Sequence, residues 1–231
     1  MIKDFLNSPI FITGIERSGS SLIARIVSMC NGWTGGVTEM YENIKIKEIV
    51  DNYYVANSLD KRGQFPLPKT DELLIPSNWK RSIEDILIKE RFEGESTWVY
   101  KNSRISQIWP VWNHAYPNAK WIIVRRRTGD IVSSCMKTAY MSAFKDKAIQ
   151  KVIGVDNEQD GWLWWIHEHE KLFTEMIETG LNCKIIWPER MVNGDYSQIF
   201  EMLEWLGLKW DDSIIKTIDP LLWHSKQKER K

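Results

Sequence analysis

The chain has 231 residues, 31 basic and 31 acidic side chains, and 43% hydrophobic content. A formal charge of zero gives no general affinity for nucleic acid or other polyanions, and the apolar content excludes a disordered chain, which could not offset its conformational entropy. This length buries one sizeable core, so a single domain over residues 1–231 is expected.

Cys30, Cys135 and Cys183 lie far apart and form neither a CxxC pair nor an even disulfide framework, which points to a reducing compartment. The N-terminus carries charges and runs into an apolar segment of only about six residues, too short for a signal-peptide core. No apolar run approaches the roughly eighteen residues of a membrane helix. A soluble, cytoplasmic protein is the expectation.

In chain order, Pro9 to Thr13 reads as a strand, residues 14–21 as a loop, and Leu22, Ile23, Ile26 and Val27 as the stripe of a helix. A helix is expected near 43–56, then a proline-containing connection over 60–78 and a helix over 79–92. The strand–helix grammar returns at 97–100 followed by 105–116, and at 120–124 followed by 129–140. After a helix over 158–178 it appears once more, at 183–187 followed by 197–206, with Gly207 as the stop. Continuous apolar strands alternating with amphipathic helices predict a three-layer α/β fold with a central parallel sheet. The thirteen tryptophans are spread along the chain as core and interface packing, with Trp162, Trp164 and Trp165 as core and pocket wall. The basic C-terminal octapeptide HSKQKERK reads as a solvated terminus.

The loop GIERSGSS, residues 14–21, has the glycine spacing of a phosphate-binding Walker loop, but Ser20 stands where the lysine would be and the cation is Arg17. In an open parallel sheet, ligands bind beyond the carboxyl ends of the strands. There Gly19 lets the backbone approach an anion, Ser20 and Ser21 offer N–H groups and hydroxyls, and the helix that follows presents its positive end. A cation within the loop suits a donor with a shorter, less charged tail than a nucleoside triphosphate, and no obligatory metal.

Residues 125–134, RRRTGDIVSS, place three arginines at a strand end and then a helix on which Asp130 and Ser134 share a face. One arginine with Ser134 would clamp a second phosphate; strand alternation leaves open which arginine.

In these segments the sequence resembles the sulfotransferases that use 3'-phosphoadenosine 5'-phosphosulfate (PAPS). The first loop is similar to their G-x-P-R-S-G-T-T-x-L pattern, and Arg126, Asp130 and Ser134 match their R-x-x-x-D-x-x-x-S motif for the 3'-phosphate. Residues 100–124 resemble the K-D-P-R segment and the elements after it, and residues 185–212 resemble the late segment ending L-G-L-x-W/P. There are departures: Glu16 replaces the proline, Ser20-Ser21 replace Thr-Thr, Asn102-Ser103 replace Asp-Pro, and the C-terminal R-K-G loop of cytosolic animal enzymes is absent. If anything covers the 3'-phosphate from that end, it is Lys226, Lys228 and Arg230.

The resemblance implies a P-loop-like fold and transfer of a sulfuryl group from PAPS to a hydroxyl or amine of a small-molecule or carbohydrate acceptor, with the bisphosphate PAP as product. It implies that Arg17, Ser18, Gly19, Ser20 and Ser21 hold the 5'-phosphosulfate and that Arg126 and Ser134 hold the 3'-phosphate. The acceptor needs a base, for which the resemblance points just beyond the first helix, to Glu39 first and Glu42 second. Lys101 would reach the donor sulfate or the acceptor. His167 and His169 diverge on their helix, unlike an i, i+4 zinc pair, so no metal site is expected. The competing readings are a small-molecule P-loop kinase and a non-catalytic nucleotide-binding protein of the same fold.

Overall fold

A computed structural model of the chain describes residues 6–218. Four strands form one parallel sheet: β1 (Ile10–Gly14), β2 (Val99–Lys101), β3 (Lys120–Val124) and β4 (Cys183–Ile186), in the spatial order β2-β1-β3-β4. All five residues of β1 are buried, as expected of an inner strand covered on both faces.

Strand alternation divides the interior in two. Ile10, Ile12, Ile122, Val124 and Ile186 point to one face, where they pack with helices α1 (Ser20–Met29), α8 (Pro188–Val192) and α9 (Ser197–Leu206). Phe11, Tyr100, Trp121 and Ile123 point to the other. That second face is covered by α2 (Ile44–Ala56), α3 (Trp79–Lys89), α4 (Trp109–Ala115), α5 (Thr128–Lys137) and α7 (Glu158–Glu178). Two further short helices are α6 (Lys147–Ile153) and α10 (Ser213–Thr217).

Tryptophan fills the second face. Phe11 lies edge-on to Trp98, Trp112 and Trp121, with ring centroids 5.7, 4.9 and 4.8 Å away. Such offset pairs add roughly 0.5–1.5 kcal/mol each beyond their buried area. Trp162 and Trp165 are buried as expected, while Trp164 is half-buried against Phe65 and Phe144.

Several helix starts have a visible cause. The Asn43 side chain accepts from the Ile46 amide at 3.0 Å and starts α2, and Asn157 accepts from the Asp160 amide at 3.0 Å and starts α7. The helix expected over 105–116 is divided. Residues Ser103–Ser106 form a 3-10 turn capped by Asn102, and α4 begins only at Trp109, with Pro110 in its first turn, where a missing N–H costs nothing. Among the described residues no helix is long and apolar enough to cross a membrane.

Candidate active site

The strand order fixes where a ligand fits. The chain leaves β1 toward β2 on one side and leaves β3 toward β4 on the other, so a crevice opens beyond the carboxyl ends of β1 and β3. The two strands are paired up to Gly14 and Val124. Gly14 has φ 155, and a Cβ there would stand 2.4 Å from the Val124 carbonyl oxygen and 2.8 Å from Ser18 Oγ, so only glycine permits this close approach.

Beyond Gly14 the chain turns back through a bond from the Ser18 amide to the Ile15 carbonyl at 3.0 Å. Gly19, at φ 96, is the N-cap of α1, and its carbonyl accepts from the Leu22 amide at 3.0 Å. The first N–H groups of a helix have no intrahelical acceptor, and Ser20 and Ser21 therefore direct theirs into the loop with the positive end of the helix. Ser18 Oγ is buried and has no hydrogen-bond partner. A buried hydroxyl, helix amides and a cation form a donor set suited to an oxyanion.

The two segments expected from the sequence to hold anions, more than a hundred residues apart, meet here. Arg17 Nε donates to Ser134 Oγ at 2.9 Å, and Arg126 Nη1 donates to the Arg17 carbonyl at 3.0 Å. Of the three consecutive arginines, Arg125 pairs with Glu170 and lies over the Trp187 ring, while Arg127, 71% exposed, pairs with Glu189 at 3.4 Å. Arg126 is the one that turns to the β1 loop. Desolvation lowers the pKa of its guanidinium, with Asp130 and Glu189 acting in the opposite direction.

On the β2 side, Lys101 Nζ is 3.3 Å from Glu42 Oε1, with only 7% and 15% of the two side chains exposed. The Lys101 side chain sits at the end of β2, and the adjoining turn is tied to β1 by the Asn102 amide, which donates to the Ile12 carbonyl at 3.1 Å, and by Thr13 Oγ1, which donates to the Ser103 carbonyl at 3.2 Å. Asn102 Oδ1 accepts from the Arg104 amide at 2.9 Å, so the carboxamide caps the turn. Buried Arg104 pairs with Asp51 at 2.7 Å and lies over the Tyr54 ring, which joins this turn to α2. Glu39 is exposed, in the turn that precedes α2.

A model of the sulfotransferase family matches residues 9–212. The chain belongs to the sulfotransferase family. Among solved structures, this sulfotransferase resembles STF1 of Mycobacterium tuberculosis, with a TM-score of 0.58 and 13% identity over 94% of this chain and 72% of the other. It also resembles sulfotransferase STF9 of Mycobacterium avium, with a TM-score of 0.56 and 12% identity over 95% and 68% of the two chains. At such identities the likeness is one of fold. No curated protein matches the sequence.

The structure of this sulfotransferase brings three further residues to the β1 loop and the β2 turn. Glu16 is half-buried, and desolvation raises its pKa against the lowering effect of Lys101. Burial raises the pKa of the Tyr140 phenol, just beyond α5, and Glu16 adds to the rise while Arg17 opposes it. Arg104 holds the β2 turn. Glu16 was visible as the departure from the family's proline; nothing local in the sequence marks Tyr140. The tail residues Lys226, Lys228 and Arg230 lie outside the described residues.

Proposed function

We propose that the chain transfers a sulfuryl group from PAPS to a hydroxyl or amine of a small-molecule or carbohydrate acceptor. The observation that carries this reading is the direct contact of Arg17 with Ser134, together with the Arg126 bond to the Arg17 carbonyl. Two oxyanion grips that share hydrogen bonds suit a ligand with anionic groups on the 5' and 3' positions of one ribose. A linear triphosphate would concentrate its charge in the first grip and leave the second without a partner.

PAPS when bound supplies a sulfuryl group whose leaving group is the phosphate of a nucleotide. Arg17, the amides of residues 18–21 and the hydroxyls of Ser18, Ser20 and Ser21 hold that phosphate and stabilise the charge that builds on the bridging oxygen. Preorganised donors in a water-poor site are the largest single contribution to such a transfer. Arg126 and Ser134 hold the 3'-phosphate, which distinguishes this donor from ATP. Lys101, nearly buried and balanced by Glu42, brings a fixed positive charge to the β2 side of the cleft.

Binding of PAP and of Mg-ATP, measured by titration calorimetry, tests the reading. PAP should bind without metal and more tightly than Mg-ATP, and Arg126→Ala should weaken PAP by about 1.5–3 kcal/mol, roughly 10- to 150-fold, while leaving the affinity for 5'-AMP unchanged. Preference for Mg-ATP, or an Arg126→Ala variant that keeps its affinity for PAP, refutes it.

A further inference from the structure

The turn between α1 and α2 carries an apolar side chain to the β1 loop. Residues 38–42 fold tightly. The Thr38 amide donates to the Glu42 carbonyl and the Tyr41 amide to the Thr38 carbonyl, each at 2.9 Å, while Thr38 Oγ1 accepts from the Met40 and Glu42 amides at 3.2 and 3.3 Å. Tyr41, at φ 59, completes the reversal and packs against the core on the α1 face.

The two neighbours of Tyr41 reach different parts of the cleft. Ser21 Oγ donates to Met40 Sδ at 4.0 Å, which sets the thioether against the start of α1. Glu42 Oε1 lies 3.3 Å from Lys101 Nζ. Two residues of chain span at most about 7 Å, so this turn joins the β1 loop to the Lys101–Glu42 pair, with Met40 at the loop end. Single exposed apolar side chains are ordinary on a protein surface. Met40, 47% exposed, differs because it touches a hydroxyl of the proposed donor grip and stands next to the charged pair of the β2 side. A thioether offers no donor and is a weak acceptor. Sugar hydroxyls laid against it would lose water without replacement, whereas an aromatic ring gains roughly 0.3–1.5 kcal/mol from contact with the sulfur.

Building on the donor reading above, we propose that Met40 determines acceptor specificity and that the acceptor is a phenol, whose ring lies on the thioether while its hydroxyl faces the donor sulfur. The Ser21 hydroxyl turns from the weak thioether to an oxygen of the bound donor, a stronger acceptor, and so frees the sulfur face for the ring. The aryl oxygen bonds to the donor sulfur, the bond between that sulfur and the 5'-phosphate oxygen breaks with its electron pair left on the phosphate, and the phenolic proton passes to solvent.

The experiment uses the full chain with labelled PAPS as donor, 2-naphthol and methyl glucoside as acceptor probes, and calorimetry of PAP binding. The wild type should sulfate 2-naphthol with a kcat/KM at least about 10-fold above that for methyl glucoside. Met40→Ala should raise the KM for 2-naphthol about 10-fold or more, with kcat and the Kd of PAP changed far less. Met40→Leu, which keeps the apolar area, should recover most of that KM, and Met40→Gln should not. Thermal denaturation confirms that the variants are folded. The proposal is overturned if methyl glucoside is used as well as 2-naphthol, if Met40→Ala keeps the wild-type KM, or if it weakens PAP as much as it weakens 2-naphthol. A wild type that binds PAP and sulfates neither probe also overturns it. Failure of the wild type to bind PAP overturns the donor reading itself and is told apart from these by the calorimetry alone.

Discussion

Arg17 makes two contributions that a pair of substitutions can separate. Its φ of 70 lies in the left-handed region, which costs a side-chain-bearing residue roughly 1–2 kcal/mol. Arg17→Gly removes that cost and gives back about 0.4–1 kcal/mol through the freer unfolded chain. It also loses the bond to Ser134, worth about 1 kcal/mol. The sum leaves Arg17→Gly within about 1 kcal/mol of the wild type. Arg17→Ala keeps the strained backbone and loses the same bond, so it should be about 1 kcal/mol less stable than Arg17→Gly, a difference of roughly 2–4 °C in Tm for a chain of this size. Both variants lose the guanidinium, and both should lose affinity for PAP by about 10- to 150-fold, the effect of one charged hydrogen bond. Thermal denaturation and titration calorimetry on the two variants give both quantities. Equal stabilities, or Arg17→Ala above Arg17→Gly, would refute the backbone argument. An unchanged PAP affinity in both would refute the placement of the donor.

Two further predictions concern the scaffold. Buried His169 donates from Nδ1 to the Trp165 carbonyl at 2.8 Å and accepts at Nε2 from Gln107 at 3.0 Å, and desolvation lowers its pKa from 6.5 to about 4. The unfolded chain takes up this proton first, so the stability from the neutral ring is complete above pH 6.5 and lost as pH falls toward 4, a loss of roughly 3 kcal/mol; urea denaturation should show that slope, and His169→Gln should flatten it. Burial alone would raise the Asp51 pKa, but hydrogen bonds from Lys47 and Arg104 outweigh it, so the carboxylate stays charged. Arg104→Met should therefore cost about 3 kcal/mol, the low end for a broken buried pair because Lys47 remains 2.8 Å from Asp51, and a fall in Tm under about 2 °C would contradict this.

The fold was legible because its signals are local. β1 and β3 read as continuous apolar runs, and each has one residue set per sheet face, as the period of a strand requires. The helix over 158–178 could be bounded to the residue, since Asn157 caps one end and its stripe runs unbroken to the other. The division of 105–116 was missed because Ile105, Ile108, Val111 and Trp112 keep a helical stripe across the break, while the interruption depends on Asn102 capping its own turn. Helix α6 was also overlooked, although Asp146 and Gly154 stand at its ends as caps; seven residues are too few for periodicity to show.

The site was legible only as far as each segment carries its own chemistry. The loop declared itself through Gly14, Arg17, Gly19 and the serines. The choice among Arg125, Arg126 and Arg127 did not, because it is made by Glu170 of α7 and Glu189 of α8, which engage the outer two. The place of Glu16 was equally hidden: its neighbours Lys101, Glu42 and Tyr140 come from three separate parts of the chain, and only the fold puts them around one carboxyl. What joins the parts is the pairing of Gly14 with Val124, which lets two strand ends approach closely enough for Arg17 to reach Ser134 and for Arg126 to reach the loop backbone. On the proposed donor reading, the distance between the two oxyanion grips would be set by strand register and by the missing Cβ at Gly14, both features of the sheet. A donor with two anionic groups at a fixed spacing on one ribose is the kind of ligand that such a rigid spacing can select, because a flexible loop would adapt to either spacing and discriminate neither.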